Sequence, residues 1–306
     1  NYNGICEKTN LINKKDNPIQ FQKLFKLYEP FKQSISITFW KKNLFPVIKG
    51  TPYYASLNIG DSKQIFTTDE KYYALIIGNN NYKYLEKLDA AENDAKVLAD
   101  ILKNNYNFDV ELLLNADYET TVDSLHNISK KLKKDDNLLI FYAGHGELDK
   151  KQNRGYWLPV DASYEKRSRW ISNATVADEL KATDAKHVLL IVDSCFSGSL
   201  MRSGSNIKSN KNLDAKYIKL LQKKKTRLVI TSGGNEPVMD SDGGLHSVFA
   251  QKLIDTLKEN NNVISTQKIF ENIKKYVAVN AAQTPERAAI YKAGHDGGDF
   301  LFFAKN

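Results

Sequence analysis

The sequence predicts an α/β protein, a three-layer α/β/α sandwich built around a mainly parallel, six-stranded sheet. Short continuous apolar runs alternate along the chain with stretches whose apolar residues recur every three or four positions. Such runs are typical of parallel strands buried on both faces, and such stretches are typical of the helices that cover them. Two of the runs also end at a glycine-flanked reactive side chain, where an open α/β sheet carries its chemistry.

The predicted strands follow from the apolar runs, which are short and bounded by polar residues or glycine. They cover residues 73–77, 110–114, 138–142, 188–192, 228–230 and 300–303. The first run, YALII, is closed by Gly78, which marks the end of its strand. A further stretch at 155–160 is expected to form a short peripheral strand pair.

Helical spacing predicts the elements that connect these strands. The first helix is indicated by apolar residues at three- and four-residue steps, which are Leu88, Ala91, Ala95, Leu98 and Ile101. Asp89 and Glu92 have the spacing of a capping box at its start. Further helices are predicted around 122–132, 176–180, 248–257 and 269–277. Lysines fill the last turns of the second one, where the helix dipole favours positive charge.

The chain divides into an extension and a main domain. Residues 1–70 lack a glycine-bounded parallel strand, and we interpret them as an N-terminal extension that packs on the domain formed by residues 71–306. A stretch rich in serine, glycine, lysine and asparagine at about 199–225 is expected to be a mobile linker. Within that linker, apolar residues at 217–221 are consistent with one turn of helix.

Composition excludes several classes of protein. The 306 residues carry a formal charge of +8, which we attribute to a lysine-rich solvated surface, so no nucleic-acid partner is expected. No run approaches the roughly 20 apolar residues that span a membrane, and no signal peptide is recognisable, so a cytoplasmic location is expected. The two cysteines, Cys6 and Cys195, are too few for a disulfide framework or a cysteine-rich zinc site.

The two reactive strand ends are the candidate catalytic centre. His145 follows the third predicted strand and Cys195 follows the fourth. A cysteine needs a base to become a thiolate at neutral pH, and a histidine can accept the proton and return it to a leaving amine. The N–H groups of Gly146 and Cys195 are the expected donors of an oxyanion hole.

Asp193 is a candidate for substrate binding. Residues i and i+2 of a strand face the same side, so Asp193 and Cys195 should both line the cleft. An ionised carboxylate at this place favours a cationic substrate residue and disfavours aspartate.

Four motifs together resemble the caspase–metacaspase family of cysteine peptidases. They lie at residues 74–79 (ALIIGN), 88–95 (LDAAENDA), 142–146 (YAGHG) and 193–198 (DSCFSG). The resemblance runs from Lys71 to Phe303. It implies a caspase-like fold and peptide-bond hydrolysis through a Cys–His dyad that has no obligatory third member.

The resemblance also implies a specificity. Caspases carry glutamine two residues before the nucleophile, whereas Asp193 occupies that position here, as in metacaspases that cleave after arginine or lysine. Asp94 matches a second acidic residue of the metacaspase pocket. Ala143 stands where the family has a pocket serine, so it lines the pocket without a hydroxyl.

The chain departs from calcium-dependent members of the family. Their acidic run after the catalytic histidine is absent, because the acidic residues Glu147, Asp149 and Asp161 are interrupted by lysine and arginine. We therefore expect no metal or other cofactor, and the sequence does not support calcium activation.

Related peptidases often cleave themselves in the linker after the nucleophile strand. The best candidates in this chain are Lys223, Lys224 and Lys225. The remaining histidines, among them His246 and His187, are interpreted as structural.

The expected partners are protein or peptide substrates with a basic P1 residue, together with a regulatory partner or the N-terminal segment. Two alternatives stay open. One is a CHAT-type or separase-like protease activated by a partner, and the other is a non-catalytic caspase-like scaffold.

Overall fold

The computed structural model describes residues 70–195, 200, 213, 215–234 and 244–305. All of these residues belong to one compact unit, 63–306. Apart from Glu70, the predicted N-terminal extension lies outside the described residues, and so does most of the first half of the predicted linker.

The strands are β1 (Tyr72–Gly78), β2 (Asp109–Leu114), β3 (Asn137–Ala143), β4 (Gly146–Asp149), β5 (Arg154–Trp157), β6 (Ile171–Ser172), β7 (His187–Asp193), β8 (Thr226–Thr231), β9 (Val263–Ser265), β10 (Glu286–Ala289) and β11 (Leu301–Phe303). The helices are α1 (Ala91–Tyr106), α2 (Tyr118–Lys131), α3 (Asn173–Ala182), α4 (Ala215–Lys223), α5 (Val248–Glu259) and α6 (Thr266–Asn280).

The central sheet has six strands in the order β10-β8-β7-β3-β1-β2. The five strands β8, β7, β3, β1 and β2 are parallel, and only the edge strand β10 is antiparallel to its neighbour. The prediction of a mainly parallel six-stranded sheet is confirmed.

Helices cover both faces of this sheet, because neighbouring strand residues point to opposite sides. One face, which includes Ile76, Phe141 and Ile191, packs on α1, α5 and α6. The other face, which includes Ile77, Ile140 and Leu190, packs on α2 and α3. These two apolar layers form the predicted α/β/α sandwich and hold β3 and β7 rigidly at its centre.

Two predicted strands differ from those observed. The sixth sheet strand is β10 rather than 300–303, and its sequence ERAA gave no apolar run by which it could be recognised. The apolar segment β11 instead pairs with β9 in a separate two-stranded sheet. The stretch predicted as a peripheral strand pair contributes β5, which lies between β4 and β6 in a three-stranded sheet.

The second half of the predicted mobile linker is a helix. Its residues form α4, in which Ile218 and Leu221 are buried against Leu301 and Phe303 of β11. None of the helices in the described part of the chain is both long enough and apolar enough to cross a membrane.

Candidate active site

The two predicted catalytic residues follow adjacent central strands. Ala143 at the end of β3 pairs with Asp193 at the end of β7, and the Gly144 N–H donates to the Asp193 carbonyl at 3.4 Å. His145 and Cys195 therefore each come two residues beyond a paired position. A methyl group built on Gly146 would lie 2.2 Å from the Cys195 carbonyl oxygen, so only glycine lets the histidine segment pack this closely on the cysteine segment.

His145 is held by hydrogen bonds from its N–H, its carbonyl and its ring, and the carbonyl accepts both the Leu158 N–H at 3.0 Å and a tyrosine hydroxyl. Its N–H donates to the Tyr82 hydroxyl at 2.7 Å, and its carbonyl accepts from the Tyr142 hydroxyl at 2.8 Å. Its ring Nε2 lies 2.8 Å from the carbonyl oxygen of Glu86. The Tyr82 ring also contacts the imidazole, with ring centroids 4.6 Å apart.

The Glu86 contact determines the tautomer of His145. A carbonyl oxygen can only accept a hydrogen bond, so Nε2 must carry the proton. In the neutral ring, Nδ1 is then the nitrogen with the free lone pair and the one able to take up a proton. The contact with this carbonyl could not be predicted from the sequence, because every residue has a backbone carbonyl and the residue type does not indicate the role.

Gly144 is required for space between the two tyrosines. A methyl group there would lie 2.6 Å from the Tyr82 hydroxyl and 2.9 Å from the Tyr142 hydroxyl. Both glycines that flank His145 therefore allow a close approach that a side chain would prevent.

Asparagines hold the loop that carries Tyr82 and Glu86. Asn115 Oδ1 accepts the N–H groups of Asn80 and Asn81 at 3.0 and 2.8 Å. Asn80 Oδ1 in turn accepts the Glu92 N–H in the first turn of α1 at 2.9 Å.

The start of α1 differs from the predicted capping box. The helix has Ala90 at its N-cap with no side-chain cap bond, so the pairing of Asp89 with Glu92 is wrong. The Glu92 carboxylate instead accepts from the side chains of Asn115 and Asn81, and the Asn115 bond is the main cause that lowers the pKa of Glu92. The side chain of Asn80, in the preceding loop, accepts the N–H of Glu92, and a cap so far from the helix gives no recognisable spacing in the sequence.

The two predicted acidic residues lie together. Asp94 in α1 and Asp193 at the end of β7 are almost fully buried, with 1% and 6% of their surfaces exposed. Ser247 contacts both, because its N–H donates to Asp94 Oδ2 at 3.3 Å and its hydroxyl donates to Asp193 Oδ2 at 2.5 Å. The sequence analysis did not identify Ser247.

His246, interpreted as structural from the sequence, also contacts Asp94. Its Nδ1 lies 2.5 Å from Asp94 Oδ1 and 3.3 Å from the Asn93 amide nitrogen. We assign the proton to Nδ1 on the shorter contact, because a carboxylate accepts. The neighbouring Asn93 amide donates to the Leu245 carbonyl at 2.7 Å. The segment that holds Leu245 and His246 is far from Asp94 in the sequence, and the two come together only in the folded protein.

The other predicted site residues lie around this centre. Ala143 is buried, with 2% of its surface exposed, directly across from Asp193. Cys195 is half-buried and is the last described residue before the gap at 196–199.

The three lysines proposed for self-cleavage lie where α4 meets β8. The Lys224 N–H donates to the Leu221 carbonyl, and the Lys225 carbonyl accepts from the Asp296 N–H. Cleavage at Lys223, Lys224 or Lys225 would require this hydrogen-bonded turn to open.

Two of the acidic residues after His145, Asp149 and Asp161, have arginine partners. Asp149 accepts from Arg167 and from two backbone N–H groups, which lower its pKa. Asp161 accepts the Tyr118 N–H at 2.8 Å and lies 3.7 Å from Arg169. Within the described residues, no group of three histidine, cysteine or acidic side chains is arranged to hold a metal ion.

A mainly parallel sheet covered by helices on both faces is the architecture of the caspase-like class of proteins. A family model described as the caspase domain matches residues 71–292. The chain belongs to the caspase-domain family.

Solved structures share this fold at low sequence identity. One is a structural-genomics crystal structure of a Geobacter sulfurreducens protein, with a TM-score of 0.53, 20% identity, and coverage of 74% of this chain and 97% of that one. Another is caspase-1 from Spodoptera frugiperda, with a TM-score of 0.50, 16% identity, and coverage of 72% and 87%. No curated protein matches the sequence.

Proposed function

We propose that this protein is a cysteine endopeptidase that hydrolyses peptide bonds after arginine or lysine. The observation that carries the proposal is the pairing of β3 with β7, which brings the segments of His145 and Cys195 together next to the buried Asp193. Asp94 in α1 is linked to Asp193 through Ser247. Membership of the caspase-domain family supports the reaction class.

His145 serves as the general base in this proposal. Because Nε2 donates to Glu86, Nδ1 is available to take the thiol proton of Cys195 as the sulfur attacks the scissile carbonyl. The resulting imidazolium gives that proton to the leaving amine, and a water molecule activated in the same way then hydrolyses the thioester. The Glu86 carbonyl stabilises the charged ring without becoming charged itself.

The developing oxyanion needs two N–H donors, and we assign them to Gly146 and Cys195. The His145 carbonyl accepts the Leu158 N–H across β4 and β5, so Gly146 and its partner Trp157 form the next, non-hydrogen-bonded pair. The Gly146 N–H therefore points away from β5. Removal of one such donor costs roughly 3 kcal/mol of transition-state stabilisation in other hydrolases.

Specificity for a basic P1 residue is supported by Asp94 and Asp193. Two carboxylates in a buried site repel each other, and a guanidinium or ammonium group relieves that repulsion. An aspartate at P1 would add a third negative charge. We also propose that catalysis needs no metal, since Asp149 and Asp161 already have arginine partners.

Fluorogenic peptides that differ only in a P1 arginine, lysine or aspartate test the proposal. Wild type should cleave the first two, while Cys195→Ala and His145→Ala should be inactive although folded. Cleavage after aspartate alone would overturn the pocket assignment. Absence of turnover with every peptide would favour the scaffold alternative.

A further inference from the structure

We propose that Ser247 is a positioning residue of the P1 pocket, which holds Asp94 and Asp193 at the separation that a cationic side chain requires. This inference rests on the proposed function and assigns part of the specificity to a residue outside the four motifs described above. Its basis is the two hydrogen bonds that Ser247 makes to the two acidic side chains.

Ser247 is itself fixed by α5. It is the N-cap of that helix, and its hydroxyl oxygen accepts the Ala250 N–H at 2.9 Å. Because the oxygen lone pair is engaged by Ala250, the hydroxyl hydrogen is directed to Asp193. One side chain therefore begins the helix and orients a pocket carboxylate.

The same turn supplies further stabilisation to both carboxylates. They lie at the N-terminus of α5, a helix of twelve residues whose dipole favours negative charge at this end. His246, which precedes Ser247, donates to the other oxygen of Asp94. One turn thus holds both buried acidic side chains in place before a substrate enters.

Loss of the hydroxyl should therefore affect recognition of charge more than catalysis. Asp193 would lose the hydroxyl donor to its Oδ2, and its carboxylate would be held less firmly in the pocket. For a P1 arginine substrate we expect KM to rise about tenfold in Ser247→Ala, because the lost hydrogen bond is to a charged group and such bonds are the stronger ones. We expect kcat to change less than twofold. Ser247→Thr keeps the hydroxyl and should restore KM.

The decisive measurement compares two peptides that differ at P1, one with arginine and one with citrulline. Citrulline has nearly the same shape but no charge, and a carbonyl oxygen replaces one donor nitrogen, so the ratio of kcat/KM for the two peptides reports recognition of the guanidinium by its charge and its donors. Ser247→Ala should reduce this ratio about tenfold. Ser247→Gly loses the hydroxyl but is a better N-cap than alanine, so it gives the same test if Ser247→Ala folds poorly.

Ser265→Ala is the matched control. Ser265 is the N-cap of α6 and accepts the Lys268 N–H at 3.2 Å, so this variant also loses a helix cap. It should keep the wild-type arginine-to-citrulline ratio.

The outcomes separate the two proposals. A wild type that prefers arginine, with Ser247→Ala and Ser247→Gly variants that keep the same ratio, would overturn the role of Ser247 and leave the peptidase assignment intact. A wild type that cleaves neither peptide, or both equally, would overturn the basic P1 specificity itself.

Discussion

Substitution of Tyr82 by phenylalanine tests how the fold positions the catalytic base. The hydroxyl of Tyr82 accepts the N–H of His145 at 2.7 Å, and the ring packs on the imidazole. Tyr82→Phe keeps the ring and leaves the N–H without its acceptor. Since Tyr82 is 4% exposed, little water can replace the hydroxyl.

The expected magnitude follows from the cost of a buried donor without a partner, about 1–3 kcal/mol. If half of that cost, about 0.5–1.5 kcal/mol, appears as displacement of His145, kcat falls by roughly 2- to 13-fold, because about 1.36 kcal/mol corresponds to a factor of ten. KM for an arginine substrate should stay within about twofold, since the Tyr82 hydroxyl positions His145, whereas Ser247 positions the two acidic side chains of the pocket. Steady-state kinetics with a P1 arginine peptide and a thermal melt measure both effects.

Tyr106→Phe provides the comparison for this experiment. Tyr106 is equally buried, and its hydroxyl donates to the Leu257 carbonyl at 2.8 Å. This variant should lose similar stability but keep the wild-type kcat. The reasoning would be refuted if Tyr82→Phe had wild-type kcat, or if Tyr106→Phe lost kcat to the same extent.

Three further predictions concern stability and cofactors. Burial lowers the pKa of His187 to about 4 in the folded protein. Between pH 6.5 and 4 the unfolded chain therefore binds more protons at this residue than the folded protein does. The free energy of unfolding should fall by about 3 kcal/mol as the pH drops through that window. Urea melts at several pH values measure this, and His187→Gln should show a shallower slope. Gly144→Ala should abolish activity, because its methyl group would clash with two tyrosine hydroxyls. Gly244→Ala is the control and should be tolerated, because its methyl group would lie 3.7 Å from the nearest atom, the His246 carbonyl oxygen. Activity assays and thermal melts of the two variants measure the difference. Treatment with EDTA should leave turnover unchanged, and recovery of lost activity by added calcium would contradict the cofactor proposal.

The sheet was predictable because its central strands are buried on both faces. The runs that became β1, β3 and β7 are continuously apolar, and that pattern survives in the sequence without any tertiary information. The edge strand β10 escaped notice because an edge position tolerates the charged pair Glu286 and Arg287. The pattern of apolar residues therefore predicts buried strands well and edge strands poorly.

Parts of the candidate site were predictable for a related reason. His145 and Cys195 end apolar runs, so their residue types and places were visible, and their roles stay predictions. Ser247 and His246 are ordinary helix-start residues, and they reach Asp94 only because α5 packs on the same face of the sheet as α1. The carbonyl of Glu86 and the asparagine cap of α1 belong to the loop after β1, whose shape depends on contacts distant in sequence.

The order of strands has a consequence for a protein whose backbone is cut between Leu200 and Leu213. The amino-terminal piece would keep His145 and Cys195, while β8, α5 and β10 would belong to the carboxy-terminal piece. Because β8 is bonded to β7 along six register positions, a nick would leave the two pieces joined through the middle of the sheet. Such a molecule would migrate as two bands under denaturing conditions and as one particle under native ones, with Ser247 on the shorter polypeptide.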